Sequence, residues 1–198
     1  MNILLTRLGV PPEIQAFFKI DDELSFDYGD QQELYGEGFH VVPSTKNLWV
    51  AGGIHARHVV ISYSAMEAMA FITLNRHRYP RLEQLAIVAI GNRFYNEQAG
   101  WIRENFRGRK FVLVFGKDIL GQLNDIKLTA GIKNLPVKIF HSENQILIYR
   151  GSLVRAFDQE RISLHAFQEA FSIRPRFRTG KPVQSLTFLD QLKHDAER

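Results

Sequence analysis

Two stretches constrain the fold of this chain most: HVVISYSAMEAMAF, from His58 to Phe71, and KFVLVFGKDILGQ, from Lys110 to Gln122. Each opens with a short β-branched and apolar run, passes through small or polar residues, and continues with apolar residues at helical spacing. The run is short enough for a strand, and the spacing that follows is that of a helix packed on one face. Val59 to Ser62 and Phe111 to Phe115 are unbroken apolar stretches, as expected of strands covered on both faces. A strand that delivers a turn to a helix, twice over, predicts an open α/β sheet with right-handed crossovers. Ligands and catalytic groups in such sheets gather at the carboxyl ends of the strands, here Ser62 to Glu67 and Gly116 to Asp118.

The rest of the chain extends the pattern. Ala86 to Ile90 predicts another core strand ended by a Gly91-Asn92 turn, and Ala99, Ile102 and Phe106 mark a helix closed near Gly108. Asp118 stands as N-cap before the stripe Ile119, Leu123, Ile126 and Ala130, and Ser64 with Glu67 has the form of a capping box. Val137 to Phe140 is expected as a fourth strand of the central sheet, with Gln145 to Tyr149 returning behind a His141-to-Asn144 turn to lie at a sheet edge. Leu164 to Phe171 and Leu186 to Leu192 have helical patterns. Before the core, a helix follows Pro11 and Pro12, residues 21 to 38 show no sustained period, and Phe39 to Val42 with Asn47 to Val50 suggests a hairpin carrying Trp49 as a packing anchor. The expectation is an α/β chain with a mostly parallel central sheet and helices on both faces. Residues 1–56 form a small α+β extension, 57–150 the core, and 151–198 a helical and basic segment.

Composition narrows the setting. A chain of 198 residues with 45% hydrophobic content can bury a substantial core, and the absence of cysteine excludes disulfides and thiolate metal sites. No apolar run is long enough to span a bilayer, and the opening MNILLTRLGVPPE lacks the pattern of a secretory signal, so a cytoplasmic protein is expected. The net charge of +4 is unevenly spread. Residues 1–50 carry three basic residues against eight acidic ones, a net −5, which leaves +9 for the remainder. The segment IRPRFRTGK holds Arg174, Arg176, Arg178 and Lys181 without an acid, and its alternation with Pro, Phe and Thr suits an extended chain that lines a groove. A positive field of this kind favours polyanionic partners, nucleic acid first among them.

The order of strands and helices, the glycine after the second strand (Gly91) and Asp118 after the third together resemble a Toprim domain, the catalytic module of bacterial-type primases, topoisomerases and related nucleases. The resemblance covers about residues 58 to 140. It implies a glutamate after the first strand and an Asp-x-Asp pair after a later one, the glutamate acting as general acid or base and the pair holding magnesium. This chain has Tyr63 at the glutamate position and Gly116, Lys117 and Asp118 at the pair. Metal-assisted phosphoryl chemistry needs carboxylates to fix the ion, and neutral tyrosine and glycine do not supply them. Asp118 alone is a weak magnesium ligand.

Three functions are compatible with these residues. The first is a non-catalytic Toprim-like protein associated with nucleic acid and, by analogy, with a protein partner in replication, priming or mobile-element transfer. In it Arg174, Arg176, Arg178 and Lys181 contact phosphate, no cofactor is needed and magnesium binds weakly at most. The second is a divergent magnesium-dependent phosphoryl-transfer enzyme or nuclease that uses Asp118, Asp125 and Glu67. The third is a protein-interaction module docking through its acidic first fifty residues.

Overall fold

The computed structural model describes every residue from Met1 to Arg198. The chain opens with two short helices, α1 (Ile3–Arg7), capped by the Asn2 side chain, and α2 (Pro12–Phe17), which has proline in its first turn where no amide donor is needed. An antiparallel sheet follows in the order β1 (Leu24–Asp27), β2 (Gln32–Gly36) and β3 (Phe39–Val41). The central region runs β4 (Trp49–Gly52), β5 (His58–Ser62), α3 (Ala65–Leu74), β6 (Leu85–Ala89), α4 (Asn96–Asn105), β7 (Lys110–Val114) and α5 (Ile119–Ile132). Next come β8 (Lys138–Ser142), β9 (Gln145–Arg150), β10 (Leu153–Asp158), α6 (Leu164–Ala170), β11 (Phe177–Gly180) and α7 (Phe188–Ala196).

Five strands form the central sheet in the order β11-β7-β5-β6-β4, a mixed sheet in an α/β chain. β5 pairs in parallel with both β6 and β7, Val59 lying opposite Ala86 and Phe111, and β11 adds to β7 in parallel with Phe177 opposite Phe111. β4 closes the other edge antiparallel to β6. Side chains alternate across this sheet. Val60, Ile87, Val112 and Val114 pack with α3, α7 and the N-terminal elements, whereas Val59, Ile61, Val88 and Leu113 pack with α4, α5, α6 and the β9 residues Ile146 and Ile148. With both faces covered, β5 and β6 have no polar face, which accounts for their unbroken apolar sequences.

Two strand assignments need correction. Val137 to Phe140 does not join the central sheet. β8 instead begins a separate antiparallel sheet, β10-β9-β8, in which β9 is the middle strand and not an edge. β8 is exposed or half-buried along its length, so it lacks the two apolar faces that a central parallel strand requires, and the short turn with Glu143 at φ 49° folds β9 straight back on it. The fourth parallel position belongs to β11, the basic segment. The expected hairpin between Phe39–Val42 and Asn47–Val50 is also absent, because β3 pairs with β2 and β4 pairs with β6. Side chains distant in sequence pin the connecting loop: Gln98 Nε2 donates to the carbonyls of Thr45 and Asn47, and Thr45 Oγ1 donates to Asp30. Trp49 does anchor packing, stacked on Phe18 at 5.5 Å and edge-on to Phe26.

Candidate nucleic-acid interface

At the carboxyl ends of β5 and β7 the chain's own C-terminal segment covers the crevice. Lys117 donates from its backbone to Leu186 O and from Nζ to Val183 O. Asp118 caps α5, accepting from Gly121 N at 2.8 Å. A Cβ on Gly121 would stand 2.1 Å from the Gly116 carbonyl oxygen, so only glycine lets the first turn of α5 approach that loop. Tyr63 is partly buried, and its loss of solvent together with the negative charge of Glu67 pushes its phenol far above the usual range. It is therefore a neutral packing group, resting against the α4 and α5 side of the core.

Glu67 corrects the capping-box expectation. Ser64 Oγ does accept from Glu67 N, but the Glu67 carboxylate turns away from its own helix and accepts from Phe188 N at 2.7 Å and Leu189 N at 3.0 Å, capping α7. The start of α3 is capped in turn by Glu33, which accepts from Ala65 N at 2.7 Å and Met66 N at 3.1 Å. Tyr28 and His40 complete the Glu33 site at 2.9 and 3.0 Å. Both carboxylates are wholly buried, and each meets backbone donors at the positive end of a helix. Burial lifts the Glu67 carboxyl to about 7, against the pull of those two amides.

Asp125, on α5, is wholly buried and lies 2.7 Å from Lys181 Nζ. The same ammonium donates to the carbonyls of Phe115 and Gly116 at 3.1 and 2.9 Å. Each acid of the magnesium-dependent alternative thus has another partner: Glu67 on α7, Asp118 on α5 and Asp125 on Lys181. No group of three or more His, Asp or Glu residues is placed to hold a metal ion. An added Cβ at Gly116 would lie 3.0 Å from Asp118 Oδ1 and 3.5 Å from Leu186 O. Gly116→Asp should therefore disturb the α5 cap and cost about 1–2 kcal/mol, measured as a shift in urea midpoint. No shift would mean that the covering segment yields freely.

The opposite, amino-terminal edge of the sheet has a different character. Two adjoining clefts open there, one of about 1050 Å³ between β11, the start of β7 and the residues after α3, and one of about 400 Å³ between the ends of α4 and α5 and the segment before β11. The wider is lined by Arg78, Arg109, Lys110, Arg176 and Arg178, and the narrower by Arg103, Arg107, Arg109, Lys133, Arg174 and Arg176. Five and six cations with Arg109 and Arg176 in common make nine in all, out of 25 in the chain, and no acidic residue lines either cleft. Two of these cations have structural partners: Arg103 donates to Gly131 O in the last turn of α5, and Lys133 Nζ donates to Arg174 O in the segment before β11. The others have no such role. Burial, followed by the Arg176 and Arg174 charges, lowers the pKa of Lys133, and burial with Lys110, Arg57 and Arg178 lowers that of His58.

Of the four cations expected to contact phosphate, three lie together on this edge. Arg174, Arg176 and Arg178 are exposed, and the alternation turns Phe177 inward to stack on Phe111 at 4.8 Å. Lys181 lies at the other end of β11 with Asp125. Arg78, Arg107, Arg109 and Lys110 escaped sequence reasoning because they belong to two separate connections, one after α3 and one from α4 into β7, and only the sheet brings them together. No family model matches the chain, and neither a curated protein nor a solved structure matches it.

Proposed function

We propose that this is a non-catalytic, nucleic-acid-associated protein on a Toprim-like sheet, which holds a phosphate backbone along the amino-terminal edge of that sheet. The observation that carries the reading is the pair of clefts with nine cations and no acid. A concave surface of one sign concentrates counter-ions and steers polyanions. Seven of the nine cations are arginines, whose planar forks suit phosphate oxygens, so binding is independent of sequence. The Toprim-like assignment is supported by the parallel β6-β5-β7 pairing and by the strand-to-helix turns at Ser62 and Gly116. The engagement of Glu67, Asp118 and Asp125 within the fold supports the absence of magnesium chemistry. A partner in replication, priming or element transfer accords with such a role.

Salt titration tests this reading. With about six phosphates neutralised, the log of affinity should fall against the log of salt with a slope of about −5 on duplex and about −4 on a single strand. Changing Arg174, Arg176 and Arg178 together to alanine should make the duplex slope shallower by about 2.7 without loss of fold, since all three are exposed. An unchanged slope would move the footprint elsewhere. No binding at low salt would leave a protein-interaction module, docking through the acidic N-terminal region, as the better account.

A further inference from the structure

The two clefts differ in size and in the cations that line them, and the difference points to a more specific ligand. The wider one runs beside β11, where a backbone can lie along Arg176 and Arg178. The narrower one is bounded by the turn after α4, the last turn of α5 and the Arg174–Phe177 segment, the last two tied together by the Lys133 Nζ bond to Arg174 O at 2.7 Å. Arg109 lines both, and its Nε is buried without any hydrogen-bond partner. A buried donor of a charged fork left without an acceptor is costly unless a ligand supplies one. Three segments therefore converge their cations on a small volume that no acidic residue lines.

We infer that the narrow cleft is an end site, which takes the terminal phosphate monoester of a nucleic-acid strand whose backbone lies in the wider cleft, with Arg107, Arg109 and Arg174 as its donors. The inference rests on the nucleic-acid reading above. A diester inside a strand carries one negative charge and must leave the pocket on both sides. A monoester carries a charge of about −1.5 to −2 at neutral pH and has three free oxygens, which suits a small cleft that presents cations from three segments and no acidic residue. The depressed pKa of Lys133, driven by burial and by Arg176 and Arg174, accords with a field that no protein carboxylate neutralises.

The test uses one single-stranded oligonucleotide in three forms: 5′-phosphorylated, 3′-phosphorylated, and hydroxyl at both ends. Binding of each to the full chain is followed by fluorescence anisotropy. A phosphorylated form should bind about tenfold more tightly than the hydroxyl form, the gain expected of charge-assisted hydrogen bonds, and millimolar inorganic phosphate should erase that advantage. Arg107→Ala, which touches only the narrow cleft, should remove the preference. Arg78→Ala with Arg178→Ala, which touches only the wider one, should weaken all three forms by a similar factor. Equal affinity for the three forms, with binding intact, overturns the end site and leaves the nucleic-acid reading standing. Failure of every form to bind at low salt overturns both.

Discussion

Glu33→Ala is expected to destabilise the protein by about 4 kcal/mol or more, a large part of the 5–15 kcal/mol typical of a folded domain. The carboxylate is wholly buried and satisfies four donors at once: the amides of Ala65 and Met66, the Tyr28 hydroxyl and the His40 ring. Alanine leaves the two amides and the tyrosine without an acceptor inside the protein and opens a cavity between the N-terminal sheet and α3. Glu33→Gln keeps the volume and one acceptor oxygen but turns an amide group toward donors, so a loss of about 2 kcal/mol is expected. Urea unfolding measures both. A loss under about 1 kcal/mol for alanine would show that water replaces the carboxylate and that the N-terminal sheet is not held through it. The comparison with Glu67→Ala is informative. That carboxylate caps a short terminal helix, so its removal should loosen α7 to amide exchange before it lowers global stability.

What was legible in the sequence follows from how locally it was determined. β5, β6 and β7 stand where unbroken apolar runs predicted them, since burial on both faces leaves one composition available. Asp118 caps α5 as its position before the stripe implied, because a cap is made within three residues. Interactions between distant residues were not legible. Glu33 belongs to a segment with no sustained period, yet it meets α3 more than thirty residues away. Glu67 has the sequence of a local cap and uses its amide for that, while its carboxylate serves a helix 121 residues later. The basic segment was visible as charge and as extended chain, but not as a strand: Phe177 and Thr179 are its only classic β-formers, and pairing with β7 supplies the rest. The six cations that join its arginines in the clefts come from the connection after α3, from α4 and the turn behind it, from the start of β7 and from the end of α5, and no spacing rule gathers them.

Lys181 shows why position in a charge run does not fix a role, and it supplies the last expected result. It follows three exposed arginines, but its ammonium faces Asp125 and two carbonyls, so Lys181→Met should leave the salt slope of the proposed nucleic-acid binding unchanged, whereas a phosphate contact would contribute about 0.9 to it. Its effect should fall on stability, and in a pH-dependent way. Burial raises the Asp125 carboxyl from the ordinary 3.8 to about 7, with Lys181 pulling it down. The folded chain thus holds this proton more tightly than the unfolded one. The associated stability is fully present below about pH 4 and is lost as the pH rises through 7. Without Lys181 the upward shift grows, because an ionised carboxylate is left inside with no counter-charge. Lys181→Met should then cost about 3–5 kcal/mol at pH 8, but only about 1–2 kcal/mol at pH 5, where a neutral Asp125 needs no cation and two carbonyls lose a donor. Adding Asp125→Asn should flatten the pH profile of the double variant. Equal costs at pH 5 and pH 8 would mean that the pair is not ionic, and a shallower salt slope would return Lys181 to the phosphate path.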